Sequence, residues 1–434
     1  MGTSNRLSLD RVYQASFALK DVARKTDLIY SPHFSNGNEV YLKTENLQVT
    51  GSFKLRGAYF KISRLSDEEK KAGIIACSAG NHAQGVALAS TRMGAKSIIC
   101  MPDGAPISKV EATKALGAEV CLVKGTYDDA YTYACKLRDE SGATFIHPFD
   151  DPDVIAGQGT IGLEILDQLP DVDAIVVPVG GGGLVSGVAY AVKKLKPNIK
   201  VYGVQAKEAA SMADSLKYDE QVTLNTVSTF ADGIAVKHPG DLTFSLIKKY
   251  VDEVVTVTED EIATAILSLI EKQKLIAEGA GAVSVAAMMF GKIPVEGKKV
   301  VCLVSGGNID VNILSRVITR GLVTSGRNAT LQIALEDKPG QLVDVATIIA
   351  GCGANVTGVH YGHSDPNTAV TSCVLTLEIE TRDFIQLEEV RQKLDLIVLR
   401  LSDTRRMSVT GLLENICRHH ITMYEDDIEQ WRKL

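Results

Sequence analysis

No two cysteines in this chain have C-x-x-C spacing, and no cluster of cysteine and histidine offers the ligands of a zinc site. The eight cysteines (Cys77, Cys100, Cys121, Cys135, Cys302, Cys352, Cys373 and Cys417) lie singly. Several sit in apolar runs such as Ile98-Ile99-Cys100-Met101, and they read as buried, reduced thiols of a cytoplasmic protein. Also missing is an apolar run long enough to span a bilayer, so no membrane association is expected. Behind the polar segment Met1–Asp10 there is no apolar stretch of a secretory leader. The net charge is -7, which excludes general affinity for nucleic acid, because a polyanion binder needs a basic face. No P-loop G-x-x-x-x-G-K-[ST] occurs. No solenoid repeat or low-complexity tract occurs either.

What is present is the composition of an ordinary globular protein, 45% hydrophobic and 23% charged. A length of 434 residues predicts about two or three domains. From about residue 70 to 310, short apolar runs alternate with stretches of helical periodicity. The predicted strands are Gly73–Cys77, Ser97–Met101, Glu119–Val123, Ala174–Val179, Lys200–Val204 and Lys299–Val304. They are apolar on both faces, as buried parallel strands are. Helical spacing marks Gly85–Met93, Lys109–Leu116, Asp128–Glu140 and Leu184–Leu195. The alternation predicts an α/β protein with parallel sheets.

The pattern changes after Leu314. Gly321, Ser325 and Gly326 among Arg316, Arg320 and Arg327 read as a helix end and a linker. A βαββα unit follows: strand Thr330–Leu335, turn Asp337–Gly340, helix Gln341–Ala350, strands Asn355–Tyr361 and Ala369–Glu380, and helix Phe384–Leu394. Leu396–Leu401 is a candidate closing strand. The predicted organisation is a catalytic part over 1–325, a small α+β domain over 328–401, and an extension over 402–434. The catalytic part would hold a smaller subdomain over about 53–155 and a larger one over 1–52 and 156–325.

Four segments carry chemistry. Strand Ala174–Val179 runs into Gly180-Gly181-Gly182-Gly183 and then a helix from Leu184. Glycines let backbone approach a ligand closely, and a helix N-terminus attracts phosphate. The dinucleotide pattern fails, since its sixth position is Val185 or Ser186 and Gln205 stands where an acid is expected. A monophosphate ligand is the better reading. Upstream, Lys54 follows Phe53 in Gly51-Ser-Phe-Lys-Leu-Arg-Gly57, where desolvation would make its amine a nucleophile. Ser78-Ala-Gly-Asn-His82 brings hydroxyl, amide and imidazole groups to a helix start and forms a plausible carboxylate corner. Ser305-Gly-Gly-Asn308 ends another buried strand. In open α/β sheets such strand tips hold the active site.

In order and spacing these motifs resemble the fold-type II pyridoxal-phosphate enzymes, which are tryptophan synthase β-like in fold, and specifically the threonine dehydratases (threonine ammonia-lyases). The resemblance covers about residues 10–320. It implies two open α/β subdomains with parallel sheets and pyridoxal 5'-phosphate as cofactor. It also implies the conversion of L-threonine to 2-oxobutanoate and ammonia, with L-serine going to pyruvate as a secondary activity. By this resemblance Lys54 holds the cofactor as a Schiff base and Phe53 lies against its ring. Asn81 bonds the ring hydroxyl, Gly180, Gly181, Gly182, Gly183 and Leu184 hold the phosphate, and Ser305 faces the ring nitrogen. Ser78, Asn81 and His82 lie where the family binds the substrate carboxylate. Lys54 would remove the Cα proton, and the β-hydroxyl would leave with the cofactor phosphate as acid.

Three details refine the resemblance. A serine hydroxyl at 305 is a neutral ring partner, which favours prompt β-elimination over transamination or racemisation. Serine racemases of the family carry a serine directly before Gly-Asn-His, where this chain has Ala79. Relatives with a divalent-metal site have acids where Gln205 and Ser211 align, so no metal site is expected. The C-terminal unit, with Asp337-Lys-Pro-Gly340 and Gly353-Ala-Asn355, resembles an ACT domain. That implies allosteric control, with isoleucine as the expected effector bound near Asp337, Gly340 and Asn355. Homodimers or homotetramers are expected. The alternatives are an L-serine dehydratase or racemase of the same family, and a non-catalytic amino-acid sensor. The tail beyond Leu401 has no functional reading, and its adjacent histidines His419 and His420 cannot face one ligand from a regular element.

Overall fold

The computed structural model describes residues 6–362 and 371–402. It divides into two compact units, Met1–Val317 and Ile318–Leu434. The division falls inside the helix Val311–Thr324, so the expected linker around Gly321 is helical up to Thr324.

Among the described residues the first unit contains ten strands. In chain order they are β1 (Leu28–Tyr30), β2 (Glu39–Lys43), β3 (Ile74–Cys77), β4 (Ser97–Pro102) and β5 (Glu119–Val123). Then come β6 (Thr144–Phe145), β7 (Ala174–Pro178), β8 (Lys200–Ala206), β9 (Glu253–Val257) and β10 (Lys299–Leu303). One sheet has the order β1-β2-β10-β7-β8-β9 and is parallel except for β1. The other, β5-β4-β3-β6, is parallel throughout. All six strands expected from the sequence are present. β1, β2, β6 and β9 were not anticipated.

The two-sided apolar runs explain the architecture. Along β7, Ala174 and Val176 pack into one core while Ile175 and Val177 pack into another. In β10, Val300 and Cys302 join the first core, and Val301 and Leu303 the second. Each of the Val, Ile and Leu side chains contributes about 1.5–3 kcal/mol by leaving water, and both sheet faces must therefore be covered by helices. With both faces occupied, only the strand ends remain open to a ligand. The free thiol of Cys302 is buried in the first of these cores and those of Cys77 and Cys100 in a core at the other sheet, and no disulfide forms among the described residues. No described helix is long and apolar enough to cross a membrane.

The second unit is an antiparallel sheet of β11 (Asn328–Glu336), β12 (Asn355–Gly362) and β13 (Ser372–Glu380), in the order β11-β13-β12. The helices Gln341–Gly351 and Phe384–Ser402 accompany it. Alternate residues of β13, Cys373, Leu375, Leu377 and Ile379, form its core with Ile349 and Val390. The candidate closing strand Leu396–Leu401 is not a strand. The last helix continues through it to Ser402, because no glycine or proline stops it after Leu394. A short run of Leu, Ile and Val fits either element by periodicity alone. Residues 369–370 of the predicted third strand, Cys417 and the paired histidines lie outside the described residues.

Candidate active site

The C-terminal tips of β3, β7 and β10 deliver Ser78, Gly180 and Ser305. The chain from β2 to the helix Lys54–Ser63 is stitched to the tip of β10. The Asn46 amide donates to Val304 O (2.9 Å), Phe53 N to Ser305 O (3.2 Å), and Gly307 N to Gly51 O (2.9 Å). Two motifs about 250 residues apart in sequence thereby share one corner.

Lys54 opens its helix with no side-chain cap before it. Its Nζ donates to Pro148 O (2.9 Å) and lies 5.3 Å from the centre of the Phe53 ring. Burial pushes the ammonium down to about 8, and the Glu278 carboxyl opposes that shift. A neutral amine near physiological pH is thus within reach. Gly85 of the helix Asn81–Arg92 lies against the Lys54 backbone, where a Cβ would meet the Lys54 carbonyl carbon at 3.0 Å.

Asn81 is held from two sides. Its Nδ2 donates to Glu278 Oε1 (2.6 Å), and its Oδ1 accepts from Asn308 Nδ2 (2.8 Å). Burial, and next Asp232, raise the Glu278 carboxyl to about 7, against lowering by the Asn81 bond, Lys109 and Lys54. Ser305 is buried, and its hydroxyl makes one long bond to Ala280 O (3.3 Å). Ser78 accepts from Gly80 N (3.1 Å), and its own proton stays available to a ligand.

His82 departs from its expected role. It is 3% exposed, its Nε2 lies 2.9 Å from Ile146 O, and burial holds the ring neutral, with a pKa lowered to about 3. A carbonyl only accepts, so Nε2 carries the proton and the unpartnered Nδ1 is an acceptor. That polarity does not suit a carboxylate. The Ser78 hydroxyl and the backbone N–H groups at the start of the helix, that of His82 among them, remain as donors, whereas the His82 ring is not set to donate there.

The glycine run precedes the helix Gly183–Leu195, whose N-cap Gly182 is left-handed (φ 94°) and offers no side-chain cap. Its first-turn N–H groups therefore have no partner within the helix. The Phe149 ring lies against the run, and a Cβ at Gly181 or Gly183 would run into that residue. Glycine is therefore needed here for packing. Leu184 points into the core. Thr243 ties the run down by donating to Gly181 O (2.6 Å), while its own N–H donates to Asp150 Oδ1 (3.0 Å).

A desolvated primary amine, an open glycine-rich helix start and an uncharged hydroxyl fit the aldehyde, phosphate and ring nitrogen of pyridoxal phosphate in turn. A family model described as pyridoxal-phosphate dependent enzyme matches residues 19–306, and the chain belongs to that family. Within it, the chain is 51% identical to the L-threonine ammonia-lyase of Thermotoga maritima over 390 residues, 89% of this chain and 97% of the relative. Among solved structures it resembles the processed form of threonine deaminase isoform 2 from Solanum lycopersicum. That match has 41% identity and a TM-score of 0.68, and covers 73% of this chain and 95% of the other. It also resembles maize serine racemase, with 34% identity and a TM-score of 0.69, over 73% of this chain and 98% of the other. A second model, of a protein of unknown function (DUF3408), matches residues 378–433.

Sequence reading missed Glu278, the Pro148–Asp150 turn and a buried ion network behind Lys54. In that network Arg56 donates to Glu45 (2.8 Å) and Glu164 (2.6 Å), and Lys43 donates to Glu164 (2.6 Å). Gln205 uses its amide internally, donating to Ala209 O (3.2 Å) and accepting from Ala213 N (2.8 Å), while Ser211 donates to Val236 O (2.8 Å). No group of three or more His, Cys, Asp or Glu that could hold a metal occurs among the described residues. The candidate effector residues are not brought together within the second unit. Asn355 pairs with Glu380 at one end of the sheet, while Asp337 and Gly340 follow Glu336, which pairs with Ser372 at the other.

Proposed function

We propose that this chain eliminates water from L-threonine, and that water returns as the resulting imine is hydrolysed to 2-oxobutanoate and ammonia, with L-serine as a slower substrate giving pyruvate. The carrying observation is the desolvated Lys54 amine joined through Phe53 to an uncharged Ser305, in a chain half identical to an L-threonine ammonia-lyase. Pyridoxal phosphate, when bound, supplies the electron sink that makes the Cα proton acidic. Phe53, Asn81, Ser305 and the run Gly180–Gly183 with Leu184 would hold it.

The chain's own groups do the rest. Lys54 is held by burial in the range where it can both accept and return a proton, which suits abstraction at Cα. Ser78 and the start of the helix Asn81–Arg92 would orient the substrate carboxylate. A neutral hydroxyl at Ser305 leaves the ring a weaker sink than a carboxylate partner would, so a good β-leaving group departs before the proton can return. Ala79 offers only a methyl group and holds no proton for the opposite face, which disfavours racemisation.

The second unit, a βαββα sandwich, is read as an ACT-like regulatory domain with isoleucine as its effector. The enzyme is read as a cytoplasmic homodimer or homotetramer. The decisive experiment is the absorbance of the purified holoenzyme before and after threonine, alongside 2-oxobutanoate release. Lys54→Ala is expected to remove the lysine-linked cofactor band and to lower turnover by at least about a thousandfold. Turnover surviving that change would overturn the assignment.

A further inference from the structure

We propose that Glu278 and Asn308 are positioning residues that clamp the Asn81 side chain, so that its amide nitrogen rather than its oxygen faces the cofactor ring. This rests on the reading of Asn81 as a cofactor contact.

The polarity follows from hydrogen-bond logic. Asn308 Nδ2 donates to the Thr50 carbonyl (2.8 Å), which can only accept. The same nitrogen reaches Asn81 Oδ1 at 2.8 Å, so Asn81 must turn its oxygen toward Asn308. Its Nδ2 then meets Glu278 Oε1 at 2.6 Å, where an ionised carboxylate accepts. Flipping the amide would oppose two NH₂ groups on one side and two acceptors on the other. One N–H of Asn81 is consumed by Glu278, and the second remains to donate.

The clamp is built by three distant segments. Glu278 N donates to Gly306 O (3.0 Å), and Asn46 Nδ2 donates to Ile276 O (3.0 Å), which fixes the carboxylate's backbone beside the tip of β10. Glycine makes room for it. A Cβ at Gly306 would collide with the Glu278 carboxyl, and one at Gly51 (φ 70°) with the Asn308 amide. These two motif glycines thereby have a purpose that phosphate binding does not explain. Glu278 is 5% exposed, and the charged groups facing it are Asp232, Lys109 and Lys54. Its carboxyl is raised to about 7, so the ionised clamp weakens as pH falls below that value.

The test compares wild-type holoenzyme with Asn81→Ala, Glu278→Leu, which removes the acceptor for Asn81 Nδ2, and the double variant Asn81→Asp with Glu278→Gln. The double variant restores a bond between positions 81 and 278 with donor and acceptor exchanged, so it offers oxygen instead of N–H to the ring. Three quantities are read in substrate-free holoenzyme: the thermal midpoint, the pH midpoint of the cofactor absorbance band, and the rate of cofactor release. We expect the double variant to recover the thermal midpoint lost by Glu278→Leu. Its band should nevertheless stay displaced, and it should release cofactor about tenfold faster than wild type. Recovery of band and release together with stability would reduce Glu278 to a structural role and overturn the clamp. An unchanged band and release rate in Glu278→Leu would overturn it too. If Asn81→Ala changes neither band nor release, Asn81 is not a cofactor contact, and that earlier reading fails along with the clamp.

Discussion

The first unit buries ions in its interior, whereas among the described residues of the second only Thr381 and Gln386 are buried polar groups. Arg56, Glu45 and Lys43 are each essentially shielded from water, with Glu164 closing the set. The second unit packs Leu375, Leu377, Ile379 and Ile349 with one buried amide, Gln386, which donates to Cys352 O (2.8 Å). Buried ion pairs are poor stabilisers, because desolvation consumes most of their attraction. An apolar core of equal volume would hold the first unit at least as well. What the ions supply is direction. Arg56 lies two residues after Lys54 and links that helix to Glu45, which follows β2, and to Glu164 of the helix Pro152–Gln168. The unit expected to do chemistry has a fixed polar frame behind its lysine, and the other has a core.

The largest effect should come from breaking that frame. Burial opposes the charge on Arg56, but Glu45 and Glu164 more than compensate and raise its affinity for the proton. Arg56→Met would strand two carboxylates with only Lys43 and Thr26 in reach, at a cost of about 3–5 kcal/mol. Thermal unfolding of the holoenzyme measures it. A loss under about 1 kcal/mol would show that water reaches the network, and the contrast between the two units would dissolve.

A smaller effect, confined to the site, concerns pH. Burial puts the folded Lys54 amine at about 8, against an unfolded value near ~10.4. The charged form is the one penalised, so lowering pH below about 8 converts the reactive neutral amine to ammonium, about tenfold per pH unit. Capture of added pyridoxal phosphate by cofactor-free protein should therefore accelerate with pH and level off above about 8. His82, held neutral, should add no inflection in the ordinary histidine range. Rapid-mixing absorbance gives the profile. A rise continuing to pH 10 would mean the lysine is hydrated.

Much of this was legible in the sequence, for physical reasons. β7 and β10 declare themselves because both faces are apolar, and the glycine run because four consecutive glycines need a reason. β2 does not, since Lys43 at its end reads as a surface charge until Glu164, 121 residues away, is seen to neutralise it. Glu278 was invisible for the same cause. Its neighbours are small and unremarkable, and its partner Asn81 is 197 residues distant. The polarity of the His82 ring was not legible, because it is decided by the Ile146 carbonyl and not by its motif. The Leu396–Leu401 segment was misread because an apolar run without a stop signal carries no period of its own.

The smallest effect tests the second unit. Asp337 and Gly340 sit at one end of its sheet and Asn355 at the other, the length of the nine-residue β11 apart. One small amino acid cannot touch both ends of a strand of about 30 Å. Gly340 is left-handed (φ 98°), so Gly340→Ala strains the turn itself. Asn355 makes an exposed side-chain bond to Glu380 (3.3 Å), and Asn355→Ala leaves the turn untouched. Isoleucine held at the turn of one unit should lose about fivefold in affinity in Gly340→Ala and nothing measurable in Asn355→Ala, with basal turnover equal in both. Calorimetric titration of the full chain reads this directly. Loss in both variants would require the two ends of different copies to meet over one ligand, which turns the effector site into a property of the oligomer.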